Sequence, residues 1–160
     1  SAWMHALEVI QKKQDVDLCV ALQATSPLRH SRDISRAIKV YFLQGCDSLF
    51  SAAVLEDFLI WRKEKEVLAS LNYDYKNRGR RQDRNPEYVE NGSFYIFSPT
   101  ILKDGNRLSG KVGMYLMDFW KSFEIDTLDD MALCETLFRH YKLSSCFNGM
   151  QIKEIVSINE

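Results

Sequence analysis

The chain has 160 residues, 46% apolar and 27% charged, with a formal net charge of −1 and a pI of about 6.3. That length suffices for one domain with a substantial core, and the composition is ordinary for a globular protein. The near-neutral balance gives no whole-surface attraction to nucleic acid or anionic membrane, and no apolar run approaches the roughly 18 residues needed to cross a bilayer.

The sequence opens at Ser1 rather than Met, which reads as a processed start or a piece of a longer chain. Trp3, Ala6, Leu7 and Ile10 recur at helical spacing and predict a helix over 3–12. Val16, Leu18, Cys19, Val20, Ala21 and Leu22 then form an apolar run of the kind buried on both faces of a parallel sheet. It stops at the loop signal Gln23-Ala24-Thr25-Ser26-Pro27. Ile34, Ala37, Ile38, Tyr41 and Phe42 mark a second helix, with Ser31 as its expected N-cap and Gly45 as its terminator. A strand over 47–54 completes a βαβ unit.

From Glu56 to Glu90 the apolar spacing breaks up and the charges crowd, so this stretch reads as an excursion from the sheet. Phe58, Leu59, Ile60 and Trp61 must be buried somewhere, and a partner subunit is the natural candidate. Short strands are expected over 93–97, 112–117 and 123–125. The last helix should begin near Thr127, where Asp130 completes a capping-box spacing, and bury Leu128, Met131, Cys134, Leu137, Phe138 and Tyr141. The domain reading is an α/β core over 1–55 and 93–160, interrupted by an inserted segment over 56–92. Cys19, Cys46, Cys134 and Cys146 are scattered, without C-x-x-C spacing, and read as structural thiols in a reducing, cytoplasmic compartment.

Several groups could carry chemistry. Gln23, Thr25 and Ser26 follow the first strand, the position where open α/β sheets bind ligands; an ordinary polar loop would look the same. Glu124 and Asp126, two apart on a strand, would share a face and could hold Mg²⁺, or could be a solvated pair complementing the next helix. The basic run Lys76, Arg78, Arg80, Arg81 and Arg84 fits a solvated loop, a small-anion clamp or a nucleic-acid patch. His5, His30 and His140 lack metal-ligand spacing, and no Walker-type, G-x-S-x-G or G-x-G-x-x-G motif occurs.

Three segments in sequence resemble the acylneuraminate cytidylyltransferase family. They are Leu22-Gln23-Ala24-Thr25-Ser26-Pro27-Leu28-Arg29, then Arg80-Arg81-Gln82-Asp83 followed by Glu90-Asn91-Gly92-Ser93-Phe94-Tyr95, then Ser122-Phe123-Glu124-Ile125-Asp126. The resemblance implies a Rossmann-like nucleotidyltransferase core with a mostly parallel sheet and an inserted dimerisation element. It implies CTP and an acidic nine-carbon sugar as substrates, a homodimer, Mg²⁺ as cofactor, and no nucleic-acid or membrane partner. By similarity Gln23 contacts the sugar, with Thr25, Ser26 and Asn91 beside it. Arg81 serves the sugar's acid group or a phosphate, Tyr95 lines the pocket, and Asp126 with Glu124 binds the metal. The family's first carboxylate is usually Asp where this chain has Glu124. The family also opens with a strand and an A-R-x-G-S-K type loop that holds the CTP phosphates; no such segment lies within these 160 residues, and the resemblance would put it upstream of Ser1. A non-catalytic relative that keeps the dimer element is the alternative. A cytidylyltransferase for another acid sugar, such as Kdo, is a further one.

Overall fold

The computed structural model describes residues 2–56, 58–102 and 105–143. In chain order the elements are α1 (Ala2–Gln11), β1 (Cys19–Leu22), α2 (Ser31–Gln44), β2 (Ser48–Val54), β3 (Trp61–Glu64), β4 (Val67–Ser70), β5 (Tyr88–Phe97), α3 (Pro99–Leu102), β6 (Val112–Leu116) and α4 (Leu128–His140). Short 3₁₀ turns occupy Arg81–Asp83 and Phe119–Ser122.

The main sheet has the order β1-β5-β2-β6. β1, β2 and β6 point one way, while β5 runs against both of its neighbours. The expected mostly parallel sheet is therefore a mixed one. The cause is the excursion: the chain leaves the sheet after Val54 and returns opposite it at Tyr88, so β5 can only run back. The bond from Leu55 N to Glu87 O (2.8 Å) closes the neck. β5 thus starts at Tyr88 rather than at the expected Ser93.

Alternation along β5 builds both layers of core. Phe94 and Ile96 face α2 and pack with Ala37, Tyr41 and Leu49. Tyr95 and Phe97 face α1 and pack with Leu7, Ala21 and Leu102. Residues 94–97 are all buried, as expected for a central strand covered on both faces. Each large side chain there contributes about 1.5–3 kcal/mol by leaving water.

α2 ends as expected at Gly45, whose φ of 59° lets its N–H reach back to Phe42 O (3.2 Å). Its N-cap is His30, not Ser31; Asp33 Oδ2 accepts the His30 backbone N–H (2.8 Å). The same Asp33 is buried against Lys121, with Nζ 3.0 Å from both carboxylate oxygens, so α2 is pinned to the turn at 119–122. α4 begins with the expected capping box: Asp130 N–H donates to Thr127 Oγ1 (3.2 Å) and Thr127 N–H to Asp130 Oδ2 (2.9 Å). Its apolar stripe, however, is not buried as expected. Only Cys134 is enclosed, against Leu28 and Leu143, with Leu137 and Phe138 partly covered, while Leu128 is 84% exposed. The helix touches the body along one line, and nothing among the described residues covers the rest.

The expected strand at 123–125 does not form; the segment follows the 3₁₀ turn and makes one ladder-like bond, Ile125 N to Thr25 O (2.8 Å). The excursion carries an antiparallel hairpin, β3–β4, that stands apart from the main sheet with Trp61, Val67 and Leu68 exposed. No disulfide joins Cys19, Cys46 and Cys134, and no described helix is long and apolar enough to cross a membrane.

Candidate functional site

The carboxyl ends of β1, β2 and β6 share one edge of the sheet, where ligands of open α/β folds bind. The loop after β1 is fastened there by Arg29, a residue the sequence reading quoted without giving it a role. Its Nη1 donates to Ser26 O (2.6 Å) and Ser93 O (2.9 Å), and its Nη2 to Gln23 O (3.0 Å). Burial pushes the guanidinium pKa below its ordinary value, yet an arginine remains charged at any physiological pH. Gln23 N–H donates to Ser93 O (3.2 Å), which ties the same loop to β5. The signal for Arg29 was present in principle: only a planar fork can serve three carbonyls that a turn presents on one side.

Glu124 arrives from the far end of the chain. Ser26 Oγ donates to its Oε1 (3.2 Å), and its other carboxylate oxygen accepts no hydrogen bond among the described residues. Gly92 makes the approach possible. Its φ is +64°, and a Cβ there would lie 2.3 Å from Glu124 Oε1 and 3.9 Å from the Gln23 side-chain carbonyl carbon. Gln23, Ser26, Gly92 and Glu124, from all three sequence motifs, thus meet within a few ångströms.

The remaining expected residues divide. Thr25 Oγ1 is buried with no hydrogen-bond partner among the described residues, although its backbone carbonyl holds Ile125. Asn91 is buried and spent on the sheet: Ser51 Oγ donates to its Oδ1 (2.6 Å), and that oxygen also accepts Ser93 N–H (3.2 Å). With Ser51 Oγ accepting Phe94 N–H (3.0 Å), these polar groups fill the gap left by the register shift between Phe50 and Ala52. Tyr95 is buried on the α1 face, and its hydroxyl donates to Glu90. Burial first, then the bond to Glu90, push the phenol pKa well above its usual value; the Glu124 charge adds to the rise. Asp126 is exposed just ahead of the α4 N-cap, and its side chain makes no hydrogen bond among the described residues. Glu124 and Asp126 therefore share no strand face, contrary to the expectation, because no strand forms. The Arg81 side chain lies outside the described residues, though its backbone opens the 3₁₀ turn at 81–83.

Two open clefts lie along the same edge. One, of about 430 Å³, is lined by Val54, Glu56, Phe58, Met117, Asp118 and Phe119. The other, of about 320 Å³, is lined by Val54, Leu55, Gln82, Arg84 and Pro86 among others. Neither is lined by Gln23 or Glu124. The rings of Phe58, Phe119 and Phe123 step from the first cleft toward the Glu124 segment at centroid spacings of 5.6 and 6.0 Å. The second cleft also carries polar and charged groups, among them Gln82, Arg84, Asn85 and Glu87, while the cluster gathers residues from all three sequence motifs. Among the described residues no three His, Cys, Asp or Glu side chains are grouped to hold a metal by themselves.

No protein-family model matches the sequence. In fold the chain is similar to a solved structure of 4-diphosphocytidyl-2C-methyl-D-erythritol synthase from Anaerococcus prevotii, with a TM-score of 0.55 at 9% identity over 85% of this chain and 66% of that one. It thus shares the mixed α/β architecture of that synthase. In sequence it is 34% identical over 138 residues to an N-acylneuraminate cytidylyltransferase of Oncorhynchus mykiss and 33% identical over 131 residues to N-acylneuraminate cytidylyltransferase A of Danio rerio. These matches cover 81% and 80% of this chain but only 32% and 30% of those proteins, so it spans about a third of their length. A flagellin modification protein B of Campylobacter coli is 28% identical over 138 residues. The chain is a relative of the N-acylneuraminate cytidylyltransferases.

Proposed function

We propose that the whole protein transfers CMP from CTP to a sialic-acid-like nonulosonic acid and releases pyrophosphate. The observation that carries this is the meeting of Gln23, Ser26 and Glu124 around Gly92, at the ligand-binding edge of a nucleotidyltransferase fold. In the reaction the sugar's anomeric hydroxyl oxygen bonds to the α-phosphorus of CTP, the bond to the β-phosphate oxygen breaks, and the hydroxyl proton passes to solvent. Such chemistry depends mainly on positioning and on neutralising charge.

The chain's residues would divide that work. Gln23, held by its own backbone bonds, offers an amide that donates and accepts to sugar hydroxyls. Arg29 and Gly92 position rather than react. Arg81 would meet an anionic group of a substrate. Glu124 and Asp126 fit a Mg²⁺ site: each has carboxylate oxygen not spent on a hydrogen bond, and this ion is usually held by one or two carboxylates plus waters and substrate phosphates. When bound, the ion would offset charge on the phosphate oxygens. The segment over 56–92 would join two protomers; the exposed apolar hairpin supports this, and sedimentation of a Leu68→Glu variant as a monomer would be its direct sign.

Calorimetric titration of the full-length protein with CTP and Mg²⁺ separates this function from a non-catalytic module, which would bind neither. Asp126→Asn should abolish turnover with the fold intact; a kcat equal to wild type would end the metal assignment.

A further inference from the structure

Arg107 sits alone in a loop between α3 and β6. In the structure its guanidinium carbon lies 4.2 Å from the Tyr95 ring centroid and 5.8 Å from that of Trp3. Its Nη2 is 3.8 Å from Glu90 Oε1, an ion-pair distance too long for a hydrogen bond. The side chain is 47% exposed and that of Glu90 41%. Among the described residues Arg107 makes no hydrogen bond, so its planar fork of donors is unspent. Aromatic faces fix the plane of a guanidinium at little entropic cost and leave its edge free.

The position matters because Tyr95 links this arginine to the site. Its hydroxyl bonds Glu90, two residues before Gly92, and its strand partner Ala21 stands two residues before Gln23 on the same face of β1. Glu90 therefore borders the place where an acid sugar would sit, while Glu124 is matched by the proposed Mg²⁺. An anionic ligand needs a cation there to offset Glu90, and Arg107 is the one the Tyr95 platform presents. The loosely held Glu90 carboxylate shows which chemical group that cation accepts.

We propose that Arg107 is a specificity-determining residue that receives the carboxylate of the acid sugar through a bidentate contact, which Glu90 yields on binding. This rests on the cytidylyltransferase function proposed above. A phosphate of CTP offers similar oxyanion chemistry, and the two sources separate by which substrate's KM responds.

The test is steady-state kinetics of the full-length protein with N-acetylneuraminate and CTP as the varied substrates. Arg107→Met should raise the KM for N-acetylneuraminate about ten- to a hundredfold, as expected for losing a charge-assisted pair, and leave the KM for CTP within about twofold. Arg107→Lys, which keeps the charge without the fork, should recover only part of the loss. Glu90→Gln should lower the KM for the acid, because the competing carboxylate is gone while Tyr95 keeps an acceptor. A purely structural Arg107 would not produce that gain. An unchanged N-acetylneuraminate KM in Arg107→Lys and Arg107→Met, or a rise confined to CTP, overturns the assignment while leaving the enzyme's function standing. Should Arg107→Met fail to fold, Arg107→Lys and Glu90→Gln decide alone. A wild-type protein that transfers CMP to no acid sugar overturns both.

Discussion

Gly92→Ala is the sharpest single perturbation of the site. A side chain at φ +64° costs about 1–2 kcal/mol of backbone strain in a left-handed conformation. The new Cβ would also stand 2.3 Å from Glu124 Oε1, so that carboxylate must swing away and lose the Ser26 hydroxyl. Losing a hydrogen bond to a half-buried carboxylate adds about 1–2 kcal/mol. The sum of about 2–4 kcal/mol corresponds, in a domain of this size, to a melting temperature roughly 5–12 °C lower. Urea denaturation of the wild type, Gly92→Ala, Glu124→Ala and the double variant closes a cycle that separates the two contributions. In the Glu124→Ala background the clash is gone, and Gly92→Ala should cost only the strain, about 1–2 kcal/mol. An equal cost of Gly92→Ala in both backgrounds would mean that Glu124 does not sit against this glycine, and the proposed convergence would fail with it.

Other substitutions probe the surroundings. Lys121→Met leaves Asp33 buried without its cation and should cost about 3–5 kcal/mol by chemical denaturation, with Lys121→Met/Asp33→Asn, which removes the charge but keeps an acceptor for the His30 N–H, recovering part of it; a loss under about 1 kcal/mol in the single variant would contradict the buried pair. Arg29→Lys cannot reach Ser26, Ser93 and Gln23 carbonyls together, so CTP-dependent turnover should fall at least about tenfold, measured by pyrophosphate release; wild-type turnover would deny Arg29 its positioning role. Tyr95 has a raised pKa in the fold, so the folded chain holds that proton more tightly than the unfolded one does. Its contribution is intact below the ordinary tyrosine value near 10 and is lost as pH rises above it, by up to about 1.4 kcal/mol per pH unit. Tyr95→Phe should flatten that alkaline decline, and an unaltered slope would contradict the assignment.

What could be read from residues alone followed local physics. The α2 stop at Gly45 and the Thr127–Asp130 cap depend on one side chain or one φ angle, and both appear as expected. The reversal of β5 was hidden because its central run, Phe94 to Phe97, is apolar on both faces and looks alike whichever way the strand runs. The strand expected at 123–125 failed because alternation over three residues is too short to outweigh the pull of Trp120, Phe123 and Ile125 into the cluster around Leu28. At the site, Gln23, Ser26 and Glu124 were legible as motifs, but the reason they meet was not. That depends on the left-handed Gly92 and the Arg29 fork, which only tertiary contact reveals. The Asn91 amide was legible as polar and in the right stretch, yet the register shift in β5 claims both of its Oδ1 bonds.

Everything functional here hangs on whether the cluster around Gly92 performs cytidylyl transfer. Pyrophosphate release by the full-length protein with CTP, Mg²⁺ and N-acetylneuraminate, set beside Glu124→Gln at matched melting temperature, decides it. We expect release that depends on the acid sugar and falls at least about a hundredfold in Glu124→Gln, the scale of losing one electrostatic group in a transfer site. Release at the wild-type rate in Glu124→Gln, or none from the wild type, would contradict it.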